Sequence, residues 1–256
     1  MSPTKTYVTV LTTDHYLPGV LALQQSLLNV DAKYPLLVVA SETLEAATLM
    51  TLEKLGMQVC VVSALAYHDD VIERMTQDAW PIEVIHSATK LKILSLVDYE
   101  KIVYLDSDMI VRANIDDLFD RPHASAVWDW CGQSRMARHQ GLNSGLLVIE
   151  PNISEYHNAL ALMDAQVGYD QDVFRALWPH WMDSPHLQLE PTLNVFVMGI
   201  EDLIKMRFLA FKDIQVLHYV GNPKPFQIRN FDLSKTLEFL NYLYWEYVNQ
   251  AYLRLK

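Results

Sequence analysis

The sequence predicts an α/β domain with a mostly parallel central sheet flanked by helices and a helical segment at the C-terminal end. Three observations point there. The first 60 residues alternate short apolar runs with longer segments of helical period. Those runs are apolar throughout, as in strands covered on both faces. The chain, at 256 residues, is long enough to bury one large core. Hydrophobic residues make up 51% and charged residues 20%, the balance of a globular rather than a disordered protein.

Along the chain, YVTVLT (7–12) reads as the first strand and PGVLALQQSLLNV (18–30) as a helix with Pro18 in its first turn. PLLVVA (35–40) is a strand, ETLEAATLMTLEKLG (42–56) a helix ended by Gly56, and MQVCVV (57–62) a third strand. After a looser stretch (63–86) comes a helical pattern, HSATKLKILSLVDY, with Ser87 as its N-cap, and then the strand KIVYL. Further strands are expected at SAVW (125–128) and SGLLVIE (144–150), with a helix at SEYHNALALMDA (154–165). DQDVFRALWPHW opens another helix, which Pro179 ends or kinks. Late strands fall near LNVFVM and DIQVLHY. The segment LSKTLEFLNYLYWEYVNQAYLRL (233–255) has a helical apolar period without Gly or Pro. Its expected role is packing against the body, with a homodimer face or a carbohydrate platform as alternatives.

Composition excludes several classes. A formal net charge of −11 argues against a general nucleic-acid binder, which needs clustered Lys and Arg. No apolar run approaches the roughly 18 residues of a membrane span. MSPTKTYVTVLTT lacks a signal-type hydrophobic region, so a cytoplasmic location is the default. Cys60 and Cys131 have no CxxC spacing and suggest neither a disulfide framework nor a zinc site; Cys60 reads as a core thiol. GxGxxG and GxxxxGK[ST] are absent, and GLNSG is not the GxSxG of hydrolases. With no repeat, low-complexity tract or linker, residues 1–256 read as one domain.

The chemistry concentrates in YLDSDMIV (104–111). A buried strand that ends in two aspartates must supply them with partners, because an unpaired buried carboxylate costs several kcal/mol or protonates. In extended chain, residues two apart face the same side with Cα atoms roughly 7 Å apart. Asp106 and Asp108 can therefore converge on one divalent ion through metal–oxygen bonds of about 2.1 Å, while Ser107 faces away. Oxygen ligands suit Mg²⁺ or Mn²⁺, ions that also take substrate phosphates. Acidic pairs at strand ends also serve as turn formers or caps, as in NIDDLFD (114–120), where Asn114 can cap a short helix. A second segment complements the first. HYVGNPKPF (218–226) follows another apolar run and offers His218 as an imidazole ligand, Gly221 for close backbone approach, and Lys224 to neutralise phosphate.

Together these motifs resemble glycosyltransferase family 8, the retaining group with a GT-A fold that includes glycogenin, galactinol synthase and bacterial lipopolysaccharide galactosyltransferases. The resemblance runs from LTTDHYLPG to HYVGNPKPF. It implies that Leu11, Thr13, Asp14 and Tyr16 hold the uracil and ribose of a UDP-sugar, and that Lys90 of SATKLKIL reaches the donor. Asp106, Asp108 and His218 become the metal ligands, with the Ser107 backbone near the ribose. Asn143 and Ser144 of LNSGLLVIEPN hold the donor sugar, Asp170 and Gln171 of YDQDVF lie beside the anomeric carbon, and Gly221 and Lys224 bind the pyrophosphate. Asp129, in VWDW, falls near the family's acceptor-side aspartate.

The activity so implied is Mn²⁺-dependent transfer of glucose or galactose from UDP to a hydroxyl of a small molecule or glycan, with an α-linked product. Mg²⁺ is the alternative ion. The nucleotide falls on the half up to about residue 110, the acceptor on 111–230, and the terminal helix spans 233–255. Retention requires either double displacement or same-face substitution; Gln171 is a poor nucleophile, which favours the latter. No tyrosine occurs between Tyr169 and Tyr219, so glycogenin-like self-glucosylation is disfavoured. A non-catalytic sugar-nucleotide binder of the same fold is the competing reading.

Overall fold

The computed structural model describes residues 5–77, 82–130, 138–165 and 168–256. Its first part is β1 (Lys5–Leu11), α1 (Leu17–Asn29), β2 (Leu36–Ser41), α2 (Ala46–Lys54), β3 (Gln58–Val62) and α3 (Asp69–Gln77). Then come β4 (Lys101–Leu105), β5 (Met109–Val111), β6 (Ser125–Trp130), β7 (Arg138–Ile149), α4 (Ile153–Asp164) and α5 (Asp170–Leu177). The last part holds β8 (Val195–Phe196), α6 (Ile200–Lys205), β9 (Val216–His218) and α7 (Thr236–Leu253).

A six-stranded sheet in the order β3-β2-β1-β4-β7-β6 forms the centre. Four neighbours, β3 to β4, are parallel, whereas β7 pairs antiparallel with both β4 and β6. The sheet is thus mostly parallel, as expected, and mixed at one side. Side chains alternate between two cores: Tyr7, Val38, Val103 and Leu146 face one, and Val8, Leu37, Ile102 and Leu147 the other. Both faces being covered, the strands need no polar positions, which is why they read as continuous apolar runs. Apolar residues of α1 and α2 cover the first face and those of α4 and α5 the second.

Three features depart from the expected elements. The helix expected over 86–99 is a run of 3-10 turns, Ile82–Ser95. Its three-residue repeat stacks Ala88, Leu91 and Leu94 in the core, with Ser87 and Lys90 on an adjacent row. Ser87 therefore lies inside the run rather than capping a helix. Within the looser stretch 63–86, α3 forms because Val71 and Met75, one helical turn apart, are both buried. A second sheet, β5-β9-β8, stands apart from the first and packs beneath α7 through Ile110, Leu217, Tyr244 and Val248. Cys60 is half-buried on edge strand β3 rather than a core thiol, and Cys131 lies outside the described residues. Among the described residues, no helix is long and apolar enough to cross a membrane.

Candidate active site

The site lies where the two sheets meet. Asp106 follows β4 and Asp108 precedes β5, so the DSD turn carries the chain from the large sheet to the small one. The Asp106 amide donates to the Gly145 carbonyl on β7 at 2.8 Å, which pins the turn to the large sheet. Met109 pairs antiparallel with His218, and the Tyr219 amide donates to the Asp108 carbonyl at 3.0 Å. That register sets the imidazole against the turn. His218 Nε2 lies 3.2 Å from Asp108 Oδ1 and 3.7 Å from Asp106 Oδ2, and ligand atoms of all three residues fall within 4.8 Å of one another. Two carboxylates and an imidazole at this spacing fit a divalent cation such as Mn²⁺ or Mg²⁺.

Hydrogen bonds fix how the imidazole presents itself. The Gly145 amide, which can only donate, reaches Asn143 Oδ1 at 2.9 Å, and Asn194 Nδ2 donates to the same oxygen at 2.7 Å. Asn194 Oδ1 is then left to accept from His218 Nδ1 at 2.8 Å. With Nδ1 protonated, the Nε2 lone pair points at the carboxylates, the orientation a metal-ligating histidine needs. Lys224 Nζ lies 2.5 Å from Asp108 Oδ2 and donates to the Tyr219 carbonyl at 2.9 Å. Burial pushes the Asp108 carboxyl up, but the Lys224 ammonium beside it holds it well below the ordinary range.

A second cluster adjoins the first through Asp106. Lys90, on the 3-10 run, pairs with Asp106 Oδ1 at 2.9 Å and Asp170 Oδ2 at 2.8 Å and reaches the Ser144 hydroxyl at 3.2 Å. Tyr104 donates to Asp106 Oδ1 at 2.6 Å. Asp170 also accepts from Ser87 at 2.9 Å and from the Ser144 hydroxyl at 3.2 Å. Burial pulls the Lys90 ammonium down, yet the two carboxylates hold its pKa above the ordinary lysine value. Burial likewise raises the Asp170 carboxyl, and Lys90, Ser87 and Ser144 bring it below the ordinary value. Asp170 is thus a buried, fully committed anion. It is the first residue of α5 rather than its cap: Tyr169 is the N-cap, and Asp172 accepts the Tyr169 amide at 3.2 Å.

Gln171 lies beside this cluster, its Oε1 accepting the Ser144 amide at 3.0 Å and its Nε2 donating to Asp129 at 3.2 Å. Asn143 Nδ2 donates to the same carboxylate at 3.1 Å. Tyr16 and Lys224 meet more loosely, with the ammonium 5.9 Å from the ring centroid, and Phe226 packs edge-on to Tyr16 at 5.4 Å. Hydrogen bonds among the described residues do not link Leu11, Thr13, Asp14 or Gly221 to these clusters. Leu11 is buried at the end of β1, and Thr13 Oγ1 is buried without a partner among the described residues. Asp14 accepts the Glu45 amide at 3.1 Å. Gly221 takes a positive φ of 91° in the exposed loop before Lys224. The main chain of Ser107 packs against Gly19 of α1, where any Cβ would clash with its carbonyl oxygen.

Sequence reasoning missed Asn194, Tyr104, Tyr67, Arg175 and two glycines. Asn194 and Tyr67 carry no local signal: they matter because the fold brings them to His218 and to the Asp170 amide, the latter at 2.8 Å from the Tyr67 hydroxyl. Gly19 inside a helical pattern and Gly145 inside a strand pattern were legible signs of close approach.

Comparison with known proteins agrees with this geometry. Residues 7–227 match the family described as glycosyl transferase family 8. Glycogenin-1 of Homo sapiens is 30% identical over 231 residues, covering 86% of this chain and 61% of the relative. Inositol phosphorylceramide glucuronosyltransferase 1 of Arabidopsis thaliana is 29% identical over 208 residues, covering 80% of this chain and 35% of its own length. The chain spans less than two thirds of these two relatives. Among solved structures, the glycosyltransferase GlyE of Streptococcus pneumoniae superposes with a TM-score of 0.66 at 17% identity, over 98% of this chain and 63% of that one. The galactosyltransferase LgtC, in complex with donor and acceptor sugar analogues, gives 0.61 at 16% identity, over 96% and 95%. These likenesses show a shared GT-A fold. A match spanning 7–227, across both sheets and every cluster of the site, establishes that the chain belongs to glycosyltransferase family 8.

Proposed function

We propose that the chain is a Mn²⁺-dependent retaining hexosyltransferase that moves glucose or galactose from UDP to a hydroxyl of a small molecule or glycan. The observation that carries this reading is the convergence of Asp106, Asp108 and His218 at one point, with Lys224 beside them. Asp106, Asp108 and His218 would hold the ion, Mn²⁺ or alternatively Mg²⁺, which when bound supplies positive charge to the departing diphosphate. Lys224, with Gly221 opening its loop, offers a second cation to the same leaving group. Leu11, Thr13, Asp14 and Tyr16 hold the nucleoside, on the half up to about residue 110, with the Ser107 backbone at the ribose. Lys90, Asn143 and Ser144 orient the sugar, and the acceptor enters over 111–230.

The commitment of Asp170 to Lys90, Ser87 and Ser144 argues against its acting as a nucleophile, since attack would strip a buried lysine of its partner. Same-face substitution follows, with Gln171 stabilising the cationic anomeric carbon. The relative glycogenin-1 keeps a primer-type reading open, although no tyrosine stands between Tyr169 and Tyr219. The test is incubation with UDP-glucose or UDP-galactose, Mn²⁺ and a panel of hydroxyl acceptors. The expected product is α-linked by its anomeric proton coupling, and Gln171→Ala should lower turnover while keeping UDP affinity. A β-linked product would reject the retaining mechanism, and hexose additions in the protein's intact mass would replace the added acceptor with the chain itself.

A further inference from the structure

Gln171 presents two nearly isosteric ends, and only one is useful beside a developing cation. The carbonyl oxygen carries negative partial charge; a flipped amide would bring N–H groups there and reverse the sign. Two partners hold the orientation: the Ser144 amide, which can only donate, reaches Oε1 at 3.0 Å, and Asp129 takes the amino end. Its Oδ2 accepts from Gln171 Nε2 at 3.2 Å and from Arg175 Nη2 at 2.8 Å, and its Oδ1 accepts from Asn143 Nδ2 at 3.1 Å. A carboxylate can only accept, so the amino ends of both Gln171 and Asn143 must point at it. Arg175 fixes the carboxylate in turn. Its Nε donates to the Leu142 carbonyl at 3.1 Å, Nη1 lies 3.4 Å from Asp172, and its stem lies against Gly141. The guanidinium therefore ties α5, which carries Gln171, to β7, which carries Asn143 and Ser144. One amide further on, Asn143 shares Asn194 with His218.

We propose that Arg175 is a positioning residue for the transfer reaction: acting through Asp129, it locks the Gln171 amide with its carbonyl toward the reacting carbon. The assignment rests on the hexosyltransferase reading. It gives Asp129 a role inside the donor site, with its oxygens already engaged by three donors, instead of a free carboxylate awaiting the acceptor. Arg175→Met removes the fork while keeping most of the stem; Arg175→Lys keeps a charge that reaches Asp129 without the second bond to Leu142; Asp129→Asn keeps shape and loses the obligate acceptor.

The experiment measures UDP-hexose hydrolysis, transfer to acceptor, and Mn²⁺–UDP affinity in all three variants, together with side-chain amide exchange of Gln171 by NMR. Arg175→Met and Asp129→Asn should lower kcat for hydrolysis and transfer by the same factor, about tenfold or more, with donor KM and UDP affinity within about twofold. Arg175→Lys should recover part of the loss, which a role confined to global stability would not predict. Gln171 amide protons should exchange faster in Arg175→Met than in the wild type. Unchanged kcat in folded Arg175→Met overturns the proposal, as does loss of transfer with hydrolysis intact, which would make Arg175 an acceptor contact. If the wild type turns over no UDP-hexose, the functional reading fails separately, and unaltered Gln171 exchange in the variants would still overturn the positioning role.

Discussion

At the residue scale, the site is a balance of buried charge. Asp106, Asp108 and Asp170 face Lys90, Lys224 and the ring of His218, and each of these partners is needed because unpaired buried ions are costly. Asp170 offers a test that is independent of catalysis. Its carboxyl pKa is lowered in the folded protein, so its stabilisation is fully present above the unfolded value of about 3.9 and is lost as the pH falls through the folded value. Asp170→Asn should therefore cost about 3 kcal/mol at pH 7, by leaving Lys90 with one carboxylate. Wild type and variant should converge only below about pH 4, as read from denaturant midpoints. A gap that stays constant down to pH 2.5, or one that is absent at pH 7, would contradict the paired, ionised state described here.

At the element scale, close backbone packing decides where the ligands stand. A Cβ on Gly145 would meet His218 Cε1 at 2.7 Å, Met109 Cε at 2.8 Å and Asn143 Oδ1 at 2.9 Å. Gly145→Ala should thus displace the imidazole and cost about 1–3 kcal/mol through overpacking. The expected outcome is a lower melting temperature together with loss of Mn²⁺-enhanced UDP binding; a variant that melts lower but keeps that enhancement would detach His218 from the ion. The elements differed in how far they could be read. β1, β2 and β4 were legible because burial on both faces makes each a largely apolar run, and β3, half-exposed at the sheet edge, because it is rich in β-branched residues. The small sheet was legible only in part: β8 and β9 fall within LNVFVM and DIQVLHY, where strands were expected, but β5 and the pairing were not, because the three strands have only two or three residues each and are joined where the fold brings Met109 beside His218. The 3-10 run reads as an α-helix because apolar positions three apart also share a face of an α-helix over a single turn, and periods 3 and 3.6 part only over the longer run of 14 residues.

At the scale of the whole molecule, the functional groups come from distant parts of the chain and meet at the carboxyl end of β4. The meeting of the DSD turn with HYVGNPKPF was readable because carboxylates and an imidazole are complementary residue types, and the antiparallel β5–β9 pair brings Asp106, Asp108 and His218 together. The network through Asn194, Asn143, Asp129 and Arg175 was not readable, since asparagine and arginine are common in roles of many kinds and their pairing here depends on the closed fold. The central claim is that Asp106, Asp108 and His218 act as one cation site shared with a diphosphate. Isothermal titration of UDP tests it most directly, in Mn²⁺ and in EDTA, for the wild type and Asp108→Asn. Much tighter binding in Mn²⁺ for the wild type, with most of that gain lost in Asp108→Asn, is the predicted result; equal UDP affinity in the two buffers would contradict it.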